Sequence, residues 1–162
     1  MIYEDVLERI AAEEARLRFD AFDEMIAWLI GQSLVEKARA ERLPVVVNIR
    51  TPDATLFHAA LPGSAPINDD WARRKSNVTL RCHRASYAIG LDFRRQGIPS
   101  PGAEQSLPPE DFATHGGSFP VRLRDGRVVA AVTVSGLPQE DDHDMVVKAM
   151  ESVMQALSVQ QP

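Results

Sequence analysis

The amino-acid sequence predicts an α/β fold of the α+β type: a five-stranded, mainly antiparallel sheet with helices on both faces, in a single three-layer domain. Apolar residues recur at three- and four-residue steps in segments such as 22–34 and 146–157, which is the spacing of amphipathic helices. Two pairs of short apolar runs are each joined by a brief turn, and strands joined in this way run antiparallel. The chain has 162 residues, 44% hydrophobic and 25% charged, as in one globular domain.

Two helices are predicted before the first hairpin. Residues 3–16 mix apolar residues with Glu and Arg, and residues 17–19 are a candidate edge strand, so residues 1–19 precede a core at 20–158. The second helix has Asp20 as its candidate cap and ends at Pro44, because the residue before a proline avoids the helical region. Its apolar stripe is Phe22, Met25, Ile26, Leu29, Ile30 and Leu34.

Two hairpins supply the remaining strands. Residues 44–50 and 55–61 form the first hairpin. Residues 115–124 and 127–135 form the second around Asp125-Gly126, a dipeptide that favours two-residue turns. The last strand is almost continuously apolar, which predicts that both of its faces are covered.

Three further helices complete the predicted order α-β-α-β-β-α-α-β-β-α. One begins at Asn68, its candidate cap, and a shorter one covers residues 86–95. Residues 97–109 hold four of the 11 prolines and predict an irregular surface loop. The last helix follows residues 136–138, and its core stripe is Val146, Met150, Val153 and Leu157.

Charge and cysteine content exclude several classes of protein. The 18 Lys and Arg against 23 Asp and Glu give a net charge of −5, whereas phosphate affinity comes from clustered positive charge. The single Cys82 leaves neither an intramolecular disulfide nor a thiolate zinc site. The acidic N-terminus is unlike a signal peptide, and no window approaches the roughly 20 apolar residues of a membrane span. We therefore expect a cytoplasmic protein with no nucleic-acid or membrane partner.

The first candidate site is His115-Gly116-Gly117, at the entrance to a predicted strand. Adjacent glycines let another group approach the backbone closely, and the imidazole could bind a metal or haem iron or transfer a proton. The alternative is a tight loop in which His115 hydrogen-bonds to the backbone, because glycine is common in turns for conformational reasons alone.

The second candidate is the junction from Ser135 to His143, where a glycine-bearing turn precedes a helix. Helix N-termini bind anions, but the acids already present here would repel a phosphate and suit a cation or an incoming basic side chain. Asp141, Asp142 and His143 are therefore a candidate acid or metal cluster. The alternative is that the acids only stabilise the helix and that an exposed His143 has no role.

The third candidate is Lys75, which shares a helix face with three residues suited to a core: Trp71, Val78 and Cys82. Either its stem lies along apolar surface with the amine in solvent, or the amine points into a pocket or interface and holds a carboxylate. A single exchange, Lys75→Met, separates the two interpretations.

Residues 73–95 form a locally basic stretch that includes Arg73 and Arg74. Spacing predicts the helix-surface pairs Asp69–Arg73 and Asp70–Arg74. The remaining positive charge could meet an anionic small molecule or the acidic surface of another subunit.

Three motifs occur together in this chain. They are Leu-Pro-Gly-Ser-Ala-Pro-Ile-Asn-Asp-Asp-Trp-Ala-Arg-Arg-Lys at 61–75, His-Gly-Gly-Ser-Phe-Pro-Val at 115–121, and Val-Thr-Val-Ser-Gly-Leu-Pro-Gln-Glu-Asp-Asp-His at 132–143. In combination they resemble the GlcG/HbpS-like family, also called haem-degrading-domain proteins, and most closely its cytosolic branch, whose chemistry is unassigned. The resemblance runs from about residue 20 to the C-terminus. It implies an antiparallel sheet between helical layers and a ring-like homo-oligomer of eight or more subunits.

Some members of that wider family bind haem, which gives the first functional hypothesis: an oligomeric protein that binds haem or another small anionic ligand without established turnover. His115 would be the iron ligand, and the backbone of Gly116 and Gly117 would line the pocket. Lys75, with Arg73 or Arg74, would face the propionates.

Two other hypotheses remain open. In an assembly protein the motif residues would serve subunit packing, with the basic stretch at 73–95 facing Asp141 and Asp142 of a neighbour. In a small-molecule enzyme His115 or His143 would act as acid or base, although the chain has no phosphate loop, nucleophile elbow, dinucleotide fingerprint or His-Glu-x-x-His motif.

Overall fold

The computed structural model describes residues 2–160, and the order of its elements confirms the predicted order. The helices are α1 (Ile2–Arg16), α2 (Glu24–Glu41), α3 (Pro66–Cys82), α4 (Ser86–Arg95) and α5 (Gln139–Val159). The strands are β1 (Arg18–Phe19), β2 (Val46–Arg50), β3 (Thr55–Ala60), β4 (Ser118–Leu123) and β5 (Val128–Ser135). A short 3-10 helix at Ala103–Gln105 interrupts the proline-rich loop. None of the described helices is long and apolar enough to cross a membrane.

The five strands form one sheet in the order β1-β4-β5-β2-β3. Its three long pairings are antiparallel, and only the two-residue β1 runs parallel to its neighbour β4. The mainly antiparallel sheet is therefore confirmed. Strand β5 lies at its centre, and residues 130–135 are all buried, which confirms that both faces of this strand are covered.

Side-chain alternation along the strands gives the sheet two different faces. Ala130, Val132 and Val134 of β5 join the main hydrophobic core together with apolar residues of α2 and α5. The opposite face carries small or polar side chains such as Ser118 and Thr133, whose hydroxyls are hydrogen-bonded at 2.9 Å. Helix α3 packs over this second face against β2, β4 and β5. Polar side chains of α3 that face this side of the sheet can therefore be buried with hydrogen-bond partners.

Two predicted helix caps are wrong. Asp23 caps α2, since its Oδ1 accepts a hydrogen bond of 2.9 Å from the Ile26 amide, while Asp20 pairs with Arg124. Helix α3 begins at Pro66, before the predicted cap Asn68, because proline at the first helical position already has a helical φ. Asn68 then reaches back and accepts a hydrogen bond of 2.9 Å from the amide at position 65.

Candidate functional site

A cleft of about 240 Å³ opens where α3, the β5–α5 turn and the segment before β4 meet. Because β4 and β5 are antiparallel, the first residues of β4 lie beside the last residues of β5. The lining residues are Asn68, Trp71 and Lys75 of α3, His115 of the segment before β4, Ser135 of β5, Gly136 and Leu137 of the turn, and Gln139 and Asp142 of α5. The cleft thus brings Lys75, His115 and Asp142 together, three residues from three separate sequence motifs.

The inner wall of the cleft is a buried ion pair. The Nζ atom of Lys75 lies 2.9 Å from Oδ2 of Asp142, and the two residues are 4% and 1% exposed. Lys75 also donates to the Val134 carbonyl oxygen at 3.3 Å, and Asp142 accepts from the amides of Gly136 and Leu137 at 3.3 and 2.9 Å. The interpretation that the amine of Lys75 extends into solvent is therefore wrong, and Asp142 is not available to a neighbouring subunit.

Burial acts on both members of this pair. It lowers the pKa of Lys75 and raises the pKa of Asp142, and in each case the opposite charge of the partner counteracts part of the shift. An ammonium group has three N–H donors, and two of those on Lys75 are used by Asp142 and Val134. One donor is left for a hydrogen-bond acceptor in the cleft.

His115 lies at the mouth of the cleft, in the turn that precedes β4, and is exposed to solvent. The edge of the Trp71 ring packs against it with 5.2 Å between ring centroids. No described residue hydrogen-bonds to its imidazole; its backbone carbonyl instead accepts a bond of 2.6 Å from Ser86 Oγ. Partial burial of the ring, followed by the charges of Arg94, Lys75 and Arg74, lowers the pKa of His115. A lowered pKa favours the neutral imidazole, the form that binds metal ions.

Gly116 and Gly117 lie behind the cleft wall rather than in its lining. Gly117 has a φ of +137°, and a Cβ there would be 2.4 Å from the Val134 carbonyl oxygen and 2.9 Å from Nζ of Lys75. A Cβ at Gly116 would be 2.4 Å from the carbonyl oxygen of Gln139. The glycine pair permits β5, α3 and α5 to pack this closely, so packing alone accounts for both glycines.

Arg74 stands beside the cleft. Its guanidinium lies 4.2 Å from the centre of the Trp71 ring, and its Nε is 2.9 Å from Oδ2 of Asp70. The pair Asp70–Arg74 is therefore confirmed. Stacked on one wall residue of the cleft, this arginine contributes positive charge to the mouth.

Arg73 lies on the other flank of α3, away from the cleft. It pairs with Asp111 at 2.9 Å and with Asp70 at 3.1 Å, whereas Asp69 lies 2.9 Å from Nε2 of His58. The predicted pair Asp69–Arg73 is wrong, because residues three positions apart also face each other and loop and strand residues compete for these charges.

The residues of the predicted acid or metal cluster diverge, because successive residues of a helix point in different directions. Asp142 faces the cleft, Asp141 is exposed and His143 is completely buried. Nε2 of His143 is 3.1 Å from Oε2 of Glu13 in α1, and the rings of Tyr87 and Phe119 contact the imidazole edge-on. Between residues 2 and 160 no group of three potential ligand side chains can hold a metal ion. The expectation of an exposed His143 is wrong.

Sequence reasoning missed two residues of the cleft, Trp71, assigned to a core, and Asn68, assigned to a cap, although both lie inside the motif at 61–75. Leu137 and Gln139 lie inside the candidate junction from Ser135 to His143, but neither was singled out as a site residue. Glu13, the partner of His143, had no signal in the sequence, because its contact joins elements at opposite ends of the chain.

Comparison with known proteins identifies the class of molecule to which this fold and cleft belong. A family model described as "Haem degrading protein HbpS-like" matches residues 22–151. The chain belongs to this family, which confirms the resemblance stated from the motifs.

Relatives and solved structures agree with this membership. The UPF0303 protein of Acidobacterium capsulatum is 46% identical over 141 residues, covering 87% of this chain and 85% of that protein. The UPF0303 protein of Streptomyces coelicolor is 49% identical over 139 residues, covering 86% and 87%. The crystal structure of Ybr137w matches with a TM-score of 0.82 at 28% identity, covering 91% of this chain and 87% of that one. A complex of PduOC with haem shares the fold, with a TM-score of 0.68, 22% identity and coverage of 82% and 94%.

Proposed function

We propose that this protein binds a small anionic ligand in the cleft beside His115, and that haem is a ligand of this kind, held by its iron on His115. The observation that carries the proposal is the position of His115 at the mouth of the cleft, where its imidazole packs against the Trp71 ring with 5.2 Å between ring centroids. The lone pair of a neutral imidazole can bind iron. The positive charges of Arg94, Lys75 and Arg74, which help to lower the pKa of His115, suit the anionic groups of the ligand.

The geometry restricts how haem would bind. At about 240 Å³ the cleft is smaller than the roughly 300–1,000 Å³ typical of sites for drug-sized ligands. A macrocycle would therefore have to remain at the mouth, where His115 would hold the iron and Trp71 and Leu137 would be the neighbouring apolar side chains. Bound haem would supply a redox-active iron, and the protein would supply an imidazole and the surrounding charge.

Of the three cations that the sequence predicted for the propionates, only Arg74 lies beside the mouth of the cleft. Lys75 is buried and paired with Asp142, and Arg73 lies on the other flank of α3. Arg74 remains as the candidate partner of a propionate. Arg94 does not line the cleft and its Nη1 is buried, so it contributes positive charge near His115 and not a direct contact. The remaining donor of Lys75 serves a smaller acceptor inside the cleft.

The comparisons support haem as the first ligand to test, because the family model is described by haem degradation and PduOC was solved with haem. The experiment is a spectroscopic haem titration of the wild type, His115→Ala and the control His83→Asn, which changes an exposed histidine in a left-handed position that asparagine tolerates. We expect a Soret shift in the wild type and in His83→Asn and none in His115→Ala. Absence of a shift in the wild type would reject haem, and an unchanged shift in His115→Ala would reject His115 as the ligand.

Self-association is the second part of the proposal. Met25, Trp28 and Leu29 are 65%, 54% and 39% exposed, and their spacing places them on one ridge of α2. We infer that this ridge is buried between subunits of a cytoplasmic homo-oligomer, for which family resemblance suggests eight or more copies. Light scattering should give the mass of such an oligomer for the wild type and a smaller mass for Trp28→Glu. A monomeric wild type would contradict the inference.

A further inference from the structure

A second cleft, of about 600 Å³, lies on the other flank of α3. It is bounded by β2, β3 and α3, and it shares no lining residue with the cleft beside His115. Its charged and polar lining includes Asn48, Arg50, His58, Asp69, Asp70 and Arg73. It lies on the polar face of the sheet, beside α3.

Arg50 is the unusual residue of this second cleft. Its Nη2 donates to Oδ1 of Asn77 at 2.7 Å, while its Nε is buried with no hydrogen-bond partner. Among the described residues none forms an ion pair with it. Burial, followed by the positive charge of Arg73, lowers the pKa of Arg50. Placing a cation in a partly buried position without a counter-charge is unfavourable, so buried charges in proteins are normally paired.

The acids that line the second cleft do not neutralise Arg50, because they have other partners. Oδ1 of Asp69 lies 2.9 Å from Nε2 of His58. Asp70 accepts hydrogen bonds from Arg73 at 3.1 Å and Arg74 at 2.9 Å. Next to Arg50 on the same face of β2, Oδ1 of Asn48 is also buried without a partner, but as an acceptor it offers no hydrogen bond to an anion. Within residues 2–160, the floor of the cleft therefore presents unused N–H donors on Arg50 alone, without a counter-charge.

We propose that the second cleft binds a small oxyanion, a phosphate or a carboxylate, on the guanidinium of Arg50. The planar guanidinium can donate two parallel hydrogen bonds to either group, and Nη1 of Arg50 makes no bond with the described residues. Arg73, held by Asp70 and Asp111, adds a second positive charge at the rim. The site is independent of His115, so haem binding can fail without affecting it.

The test is thermal unfolding at constant ionic strength, with chloride replaced stepwise by inorganic phosphate or by malonate. The wild type is compared with Arg50→Met and with the control Arg39→Met, which removes an exposed arginine from α2. A ligand that binds only the folded state raises the melting temperature as its concentration exceeds its Kd. We expect a saturable rise in the wild type and in Arg39→Met, and its loss in Arg50→Met. A response to only one of the two probes identifies the oxyanion class.

Calorimetric titration of the same proteins gives an independent readout, in which Arg50→Met should bind the active probe at least tenfold more weakly. Should Arg50→Met not fold, Arg50→Lys keeps the charge without the planar donors and should weaken binding in the same direction. No saturable rise in the wild type, or a full rise in Arg50→Met, would overturn the proposal. So would a smaller oligomer mass in Arg50→Met, since a carboxylate of a second copy would then be the natural counter-charge.

Discussion

Nζ of Lys75 and Oδ2 of Asp142 are 2.9 Å apart, and this buried ion pair joins α3 to the first turn of α5. The two backbone amides that also bind Asp142 belong to the β5–α5 turn, so one carboxylate holds the turn, the helix that follows it and the helix above the sheet. The acids predicted at the start of α5 thus include one with a structural partner in the cleft. Because Lys75 and Asp142 neutralise each other, a ligand in the cleft meets the charges of other residues.

Breaking the ion pair between Lys75 and Asp142 should lower the free energy of unfolding substantially. Lys75→Met leaves Asp142 buried without its counter-charge, and loss of one partner of a buried pair typically costs about 3–5 kcal/mol. The double variant Lys75→Met/Asp142→Leu removes both charges and should recover part of that loss. Urea denaturation measures both free energies of unfolding. A cost below about 1 kcal/mol for Lys75→Met would mean that the pair is not formed in solution.

Gly117 can be tested against a glycine that also has a positive φ but lies in different surroundings. Both Gly117 and Gly126 have positive φ, +137° and +97°, but a Cβ at Gly126 meets nothing within 4 Å. Gly126→Ala should therefore cost only the backbone strain, on the order of 1 kcal/mol. Gly117→Ala adds a clash with the Val134 backbone and should cost clearly more in the same urea experiment. Equal costs would show that packing around Gly117 is loose enough to relax.

The fold was predictable because its signals are local. Helical spacing and the two hairpins placed every major element, and the apolar run at 127–135 correctly predicted a strand covered on both faces. The helix caps show the limit of local signals, since Asp20 and Asp23 both have a suitable side chain and lie within one turn of each other. In the structure α2 begins at Glu24, which makes Asp23 the cap, and Asp20 pairs with the distant Arg124 instead.

The candidate site was predictable only in part. Lys75 was recognisable as a charge on a core-facing stripe, but Asp142 lies 67 positions further along the chain, far beyond the range of local charge pairing. The cleft forms because β4 and β5 end beside α3, and that proximity is tertiary. Tertiary packing also separates His143 from Asp142, because side chains at adjacent helix positions point in different directions and contact different elements.

The pH dependence of His115 follows from its lowered pKa. In the folded protein the imidazole should titrate below the roughly 6.5 of an unperturbed histidine, and NMR of the ring protons measures the midpoint. Between the two pKa values the unfolded chain binds more protons, so stability rises with pH across that window and is lost on acidification. Iron binding requires the neutral ring and should persist to a pH below 6.5. A midpoint at or above 6.5 would contradict the positive field at the cleft mouth.

The buried pair Glu13–His143 predicts how α1 is attached. Nε2 of His143 has Glu13 as its partner at 3.1 Å, and Nδ1 is already without one, so Glu13→Leu leaves the imidazole with no hydrogen bond. An unsatisfied buried polar group costs about 1–3 kcal/mol. Hydrogen exchange should show faster exchange in α1 for Glu13→Leu, while the exposed Glu8→Leu on the same helix should leave exchange unchanged. Equal protection of α1 in both variants would mean that apolar contacts, such as those of the completely buried Ile10, hold the helix without the pair.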